Sequence, residues 1–355
     1  MLKLDLHTRS FCHGVLGVIA ALAASMTDAS AASPFVSFDI PGAGTGSGQG
    51  TFATATSGKG LITGSFVDSN FIDHGFVGSV KDSFTTFDAP GADTDPNERT
   101  WPNGINSSGT VTGFYTTDHM HGFVRHSDGT FETFSVETDT NATAINNKEV
   151  VTGYGTHTGF VRAANGSITQ FSPPGAASTL PLAINAKGAI AGYYFDSSDF
   201  RHGFLRSPNG TIVTFDVPGG FDHVFANSIN NNGDIAGYAY ISSSSVFRAF
   251  LRTSDGTITV FNPSGCPTSF ASGINFDGTI VGNCYAGDFT YHGFTRFPDG
   301  TITTYDAPNA GTGGAGTFPT GIAANGKSVG HAQDNAGVHH GYRLNVQTEP
   351  PARPK

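Results

Sequence analysis

The stretch "RHGFLRSPNGTIVTFDVPG", residues 201–219, returns in altered form as "YHGFTRFPDGTITTYDAPN" at 291–309. Its aromatic in the H-G-F triplet recurs as Phe76, Phe123, Phe160, Phe204, Phe250, Phe294 and Tyr342, at separations of 47, 37, 44, 46, 44 and 48 residues. A second aromatic follows each triplet after a turn, as Phe87, Phe134, Phe171, Phe215, Phe261 and Tyr305, usually within F-D-x-P. One further copy, Phe38 in "FVSFDIPG", stands alone ahead of the first triplet. A unit of this size cannot bury its apolar face alone, so the period itself predicts a repeat architecture.

Each unit reads as four short strands, a to d. Strand a runs into G-I-N, as at Gly104-Ile105-Asn106 and Gly273-Ile274-Asn275. A turn with a glycine free to take positive φ follows, at Gly109, Gly188, Gly233 or Gly278. Strand b is "AIAGYYF" or "TIVGNCY", and strand c is the H-G-F segment. Asp-Gly or Asn-Gly then marks a hairpin, at 128–129, 209–210, 255–256 and 299–300, read as a two-residue turn with both central residues at positive φ. Strand d is "TITTYDAP", ended by a proline that cannot donate to a ladder. The expectation is an all-β, seven-bladed β-propeller over 35–346, with four antiparallel strands per blade. The last unit lacks a strand d, and "FVSFDIPG" can supply it, closing the ring with the N-terminal strand. A solenoid is the rival architecture, but it calls for distinct capping units.

Residues 1–31 read as a signal peptide: Lys3 and Arg9, then the apolar "GVLGVIAALAA", then "ASA" at 29–31. The alternative is an uncleaved anchor, although the run is short for a bilayer span. The expected location is therefore secreted, periplasmic or cell-surface, with 347–355 as a loose tail. Charged residues make up only 13% of the chain, and its net charge is −10 with no Lys/Arg cluster. That excludes nucleic acid and anionic membranes as natural partners. A monomer is expected. Cys266 and Cys284 either pair as a disulfide or are two small buried apolar residues.

The pattern I-N-x-x-G-x-[IV]-x-G…H-G-F resembles the extracellular HAF repeats, named for His-Ala-Phe, over nearly the whole chain after the leader. Only Ala249 carries the name-giving alanine; the other units have glycine there. The resemblance implies export and a repeat fold. It carries no activity to any residue.

Two groups of residues could carry chemistry. His74, His121, His202, His292 and His340 open strand c, and Asp68, Asp118, Asp196, Asp288 and Asp334 lie in the preceding b–c loops. The third and fifth units lack both, having Thr158 and Arg248 in place of the histidine. Co-absence suggests coupled carboxylate–imidazole pairs. Written five times, they read as building material rather than as a metal site or acid/base dyad. Function should instead break the symmetry. The d–a loop "GADTDPNERTWPNGIN" holds Glu98, Arg99 and the only tryptophan, Trp101. Ring, carboxylate and guanidinium together suit carbohydrate, although a surface ion pair beside a Trp plug fits as well. A second d–a loop offers Asp222 and His223. If both loops meet at the channel mouth, Glu98 and Asp222 could form a glycosidase-like pair. No metal or cofactor is expected, though Asp-rich loops leave casual calcium binding open. The leading expectation is a module binding a polysaccharide or other surface polymer. The alternatives are a polysaccharide lyase or hydrolase, and a structural or protein-interaction scaffold.

Overall fold

The computed structural model describes residues 34–92 and 99–346, and every regular element in them is a strand. The leader, Glu98 and the tail at 347–355 lie outside the described residues. No helix among the described residues is long and apolar enough to cross a membrane.

The strands fall into antiparallel groups of four, paired in chain order. Unit 1 comprises strands a to d at Gly50–Thr56, Ile62–Val67, Asp73–Gly78 and Phe84–Phe87, and unit 2 those at Thr100–Ile105, Val111–Thr116, Met120–Arg125 and Phe131–Phe134. Unit 3 has Asn141–Ile145, Val151–Tyr154, Gly159–Arg162 and Ile168–Phe171. Unit 4 has Ser178–Ile184, Ile190–Phe195, Arg201–Arg206 and Ile212–Phe215. Unit 5 has His223–Ile229, Ile235–Ile241, Val246–Arg252 and Ile258–Phe261. Unit 6 has Thr268–Ile274, Ile280–Tyr285, Tyr291–Arg296 and Ile302–Tyr305. Unit 7 has Gly316–Ile322, Lys327–Gln333 and His339–Asn345. Its fourth strand is Phe35–Phe38, which pairs antiparallel with strand c from Phe35↔Leu344 to Phe38↔Gly341.

The H-G-F triplet follows from how neighbouring units pack. Its aromatic is wholly buried in every unit. The strand-d ring of one unit meets the triplet ring of the next edge-on, at 5.6–6.3 Å, in the pairs Phe87–Phe123, Phe134–Phe160, Phe171–Phe204, Phe215–Phe250 and Phe261–Phe294. Phe38–Phe76 makes the same contact between the last unit and the first. Each such pair contributes about 0.5–1.5 kcal/mol beyond its buried area. In the units with glycine the strand-d ring lies on it; unit 5 has Ala249 opposite Phe261. A Cβ on Gly75, Gly122, Gly203, Gly293 or Gly341 would collide with Phe87, Phe134, Phe215, Tyr305 or Phe38 respectively. An arginine at the end of strand c then covers the previous unit's strand-d ring at 4.7–5.1 Å, through Arg125, Arg162, Arg206, Arg252 and Arg296. Unit 1 has Gly78 there, and Phe84 stacks on Phe38 in its place, centroids 4.8 Å apart.

The asparagine of I-N does two jobs. Its Oδ1 accepts from two backbone N–H groups of the following turn, as Asn185 does from Lys187 and Ala189. Its Nδ2 donates to the backbone carbonyl of the next unit's asparagine, in the series Asn106→Asn146→Asn185→Asn230→Asn275. Unit 7 reaches unit 1 through Asn325 Nδ2 to Gly58 O and through Thr320 Oγ1 to Ala53 O. A cavity of about 200 Å³ is lined by strand-a residues of all these units, among them Thr54, Asn103, Thr143, Leu182, Asn227, Ser272 and Thr320.

The hairpin after strand c differs from its expected form. Gly129, Gly166, Gly210, Gly256 and Gly300 have φ between 85° and 95°, while the preceding Asp or Asn keeps negative φ. The turn is closed at Gly129 N–H to His126 O, and the ladder resumes at His126 N–H to Thr130 O. Asp128 Oδ1 accepts from Thr130 N–H at 2.9 Å, which rewards the right-handed conformation at the aspartate. This is a type I turn followed by a left-handed glycine, not the two-residue turn.

Candidate functional site

One glycine in every strand b is constant: Gly64, Gly113, Gly153, Gly192, Gly237, Gly282 and Gly330. A Cβ there would strike the backbone carbonyl of strand a, because each a–b ladder carries a bulge one step further on. The residue after this glycine is tyrosine in units 3 to 5 and different in kind in the other four: Ser65, Phe114, Tyr154, Tyr193, Tyr238, Asn283 and His331. Its cross-strand neighbour on strand a also varies: Phe52, Trp101, Asn141, Leu180, Phe225, Phe270 and Phe318. The constant position builds the sheet, and of the variable pairs beside it Phe52, Ser65, Trp101, Phe114, Asn141 and His331 line one cleft.

From unit 4 to unit 1 the rings of this layer touch across unit boundaries. Tyr193 meets Phe225 and Tyr238 meets Phe270, each at 5.1 Å; in unit 6, where the layer has Asn283, Tyr291 of strand c meets Phe318 at 5.0 Å, and His331 meets Phe52 at 5.1 Å. In unit 1 the ring position is occupied by Ser65, which is too small to continue the belt. Beside it lies a cleft of about 620 Å³, walled by Phe52, Val67, Phe71, Trp101 and Phe114, with Asp73, Arg99, Asn103, Asn141 and His331 as its main polar groups. Trp101 is fixed by its Nε1–H donating to Ser65 Oγ at 3.0 Å and by an edge contact with Phe114 at 5.3 Å.

Phe71 occupies the b–c turn at φ 64° and is 55% exposed. A bulky residue in the left-handed region is a strained choice that needs support. Asp68 provides it, its Oδ1 accepting from Asn70 N–H at 2.8 Å and from Ile72 N–H at 2.9 Å. Asp73, at the start of strand c, has a side chain only 8% exposed, 3.5 Å through Oδ2 from Arg99 Nε. Burial pushes its carboxyl above the ordinary range; the charges of Arg99 and His74 and the Trp101 N–H only partly offset that. His331 and His339 sit 5.0 Å apart against Phe52 and carry no hydrogen bond at Nδ1. Burial holds them down at about 3 and about 4 respectively, helped by His339 for His331 and by His340, against Asp334, for His339, so both are neutral at pH 7.

Of the residues expected from sequence, Arg99 and Trp101 do line the cleft. Trp101 lies within strand a, not in the d–a loop, because its neighbours Thr100 and Pro102 pair with Tyr115 and Gly113. Asp222 and His223 are not among the residues lining the cleft. Asp222 accepts from the Ser242 N–H and hydroxyl, and His223 lies between Phe200 and Tyr240 in unit 5. The pairing of Glu98 with Asp222 rests on a residue outside the described ones. Asp73, Phe52, Phe71, Phe114 and Ser65 were not picked out from sequence. The available signal was the residue beside the constant strand-b glycine.

Each repeated histidine meets its loop carboxylate and has a nearer partner besides. Their Nδ1 lies closest to the aspartate of F-D-x-P: Asp88 for His74 at 2.9 Å, Asp216 for His202 at 2.6 Å, Asp306 for His292 at 2.7 Å and Asp39 for His340 at 3.1 Å. His121 meets Ser135 Oγ instead, at 2.9 Å. The loop carboxylates Asp68, Asp118, Asp196, Asp288 and Asp334 stand further off, 3.4–3.9 Å from Nε2. Four of them also accept backbone N–H groups of their own turn, as Asp196 does from Ser198 and Phe200, while Asp118 accepts from the Thr117 hydroxyl. No group of three or more metal-ligating side chains forms among the described residues. Cys266 and Cys284 are joined as a disulfide, with Cα atoms 5.8 Å apart.

No family model and no curated protein matches this sequence. Solved structures do match in fold. Virginiamycin B lyase from Staphylococcus aureus superposes with a TM-score of 0.59 at 12% identity, over 88% of this chain and 99% of the other. A catalytically inactive form of that lyase with quinupristin gives 0.58 at 12% identity, over 88% and 100%. A puromycin-hydrolyzing peptidase from Mycobacterium tuberculosis gives 0.52 at 10% identity, over 84% of this chain but only 51% of the peptidase. At such identities the likeness is one of fold: the chain is an all-β, propeller-like protein.

Proposed function

We propose that the chain is an exported, HAF-type seven-bladed propeller, closed by its N-terminal strand, that binds a glycan or other surface polymer at one mouth of its channel. The blade count is supported by the repeat period and by the hydrogen bonds that pass from each unit to the next and from the last to the first. The binding reading is carried by one observation. The cleft of about 620 Å³ combines Trp101 and the exposed Phe71 with a buried carboxylate, a guanidinium and two amides. Flat apolar rings beside convergent polar groups match the faces and hydroxyl edges of sugar rings.

Asp73 favours a second reading, a polysaccharide lyase or hydrolase. A carboxyl with raised pKa in an apolar cleft is the form a general acid takes. One incubation with a pooled polysaccharide panel, followed by size separation, decides between the two. Intact sugar travelling with the protein, and lost on Trp101→Ala, is expected for the binder. Shortened chains, abolished by Asp73→Asn, would establish the enzyme. Neither result would leave a scaffold role.

A further inference from the structure

The cleft already holds a cation, and the chain supplies it. The Arg99 guanidinium lies over the Trp101 ring at 5.5 Å and against the Asp73 carboxylate at 3.5 Å. A positive charge over an aromatic face beside a carboxylate is the arrangement in which proteins recognise ammonium groups. Phe52, Phe71 and Phe114 complete the apolar surround.

We infer that the cleft selects a ligand bearing a positively charged amine, which takes the place of Arg99 between Asp73 and Trp101. Resting on the glycan reading above, this makes the preferred polymer one of free amino sugars, over its neutral N-acetylated form and over an acidic polymer.

Three observations carry the sign of the charge. First, Asp73 is nearly buried while Arg99 is 43% exposed, so the carboxylate belongs to the wall and the guanidinium to the lip. Second, the guanidinium end of the pair is in contact with water, so a ligand amine can take its place beside Asp73 without first uncovering a buried cation. The backbone stays in place meanwhile, because Arg99 N–H donates to Thr116 Oγ1 at 2.9 Å and Thr116 N–H donates to Arg99 O at 3.0 Å. Displacement is a side-chain rotation. Third, the chain carries a net charge of −10 with no basic cluster, a field that draws cations and repels polyanions.

The test is a titration of the purified protein with hexamers of glucosamine, of N-acetylglucosamine and of galacturonate, read by the fluorescence of its single tryptophan and by calorimetry. Glucosamine is expected to bind at least about tenfold more tightly than the N-acetylated hexamer, the equivalent of about 1.4 kcal/mol. Asp73→Asn should erase that preference. Arg99→Ala should strengthen glucosamine binding, because it removes the internal competitor. Equal affinity for glucosamine and its N-acetylated form would overturn the inference and leave the glycan reading standing. Preference for galacturonate, lost with Arg99→Ala, would overturn it by making Arg99 an anion anchor. Binding of none of the three, together with a negative polysaccharide panel, would remove the glycan reading as well. If Asp73→Asn does not fold, Arg99→Ala at the exposed lip decides alone: stronger binding supports the inference and weaker binding ends it.

Discussion

The two ends of the channel are built on opposite principles. At the end where strand a turns into strand b, neighbouring units repeat one contact, an asparagine amide on the next unit's carbonyl, with Oδ1 holding the turn. At the other end corresponding positions hold Ser65, Phe114, Tyr154, Asn283 and His331, and the cleft opens where the smallest of these side chains stands. Repetition there serves assembly, because every unit must satisfy the same buried polar groups. Variation here serves recognition, because a ligand has one shape and one distribution of charge.

The contrast can be tested from the largest effect down. Phe204→Ala, in the repeated core and far from the cleft lining, should lower unfolding stability by about 3–5 kcal/mol in denaturant melts while leaving ligand affinity unchanged. Loss of binding in the folded variant would break the division between core and mouth. Reducing Cys266–Cys284, which spans 18 residues, should remove about 3 kcal/mol. Asn185→Ala strips the repeated end of an interunit hydrogen bond and two turn bonds, and should remove about 1–3 kcal/mol. A neutral result would mean that the asparagine series shapes the turns without fastening the units. Ser65→Tyr, which copies the residue of units 3 to 5, replaces a buried side chain that accepts the Trp101 N–H, and should cost about 1–3 kcal/mol while the protein still folds. It should nevertheless abolish binding, and retained affinity would place the ligand elsewhere.

Acid and base separate the same two regions. His331 and His339, at the mouth, titrate near 3 and near 4 in the folded state, against 6.5 unfolded. The unfolded chain therefore takes up protons first, and stability falls as pH drops below about 6.5. His331→Phe, which keeps the stack on Phe318, should flatten this acid limb. His74 and His202, in the repeated frame, are raised above 6.5. The hydrogen bond to Asp88 is the main cause for His74; for His202 burial pulls down, but the bonds to and charges of Asp216 and Asp196 outweigh it. Their contribution is complete below pH 6.5 and is lost as pH rises through their folded values. Melting temperature across pH should thus decline on both sides, each limb answering to its own histidines.

How much could be read in advance follows the same line. The H-G-F and I-N signals recur, and each recurrence confirms the others, so strand order and the returning N-terminal strand were legible. Arg99 and Trp101 stood out because the chain has one tryptophan. Ser65, Phe52 and His331 did not stand out, since each is a single ordinary residue, and His331 lies 279 positions along the chain from Phe52, whose ring it meets. The F-D-x-P aspartates were visible as a motif, yet their hold on the histidines was missed. Strand d pairs with strand c across a hairpin, and only the register, Gly203 opposite Phe215, brings Asp216 level with His202.

Sequence alone determined that this protein is a chain of four-stranded units, because period, turn residues and alternating apolar positions act over a few residues and say the same thing each time. Only the tertiary structure decided which residues share the cleft. Strands from several units bring Asp73, Arg99, Trp101 and His331 together through a ring of side-chain packing, and nothing in the local sequence records which neighbour each will face.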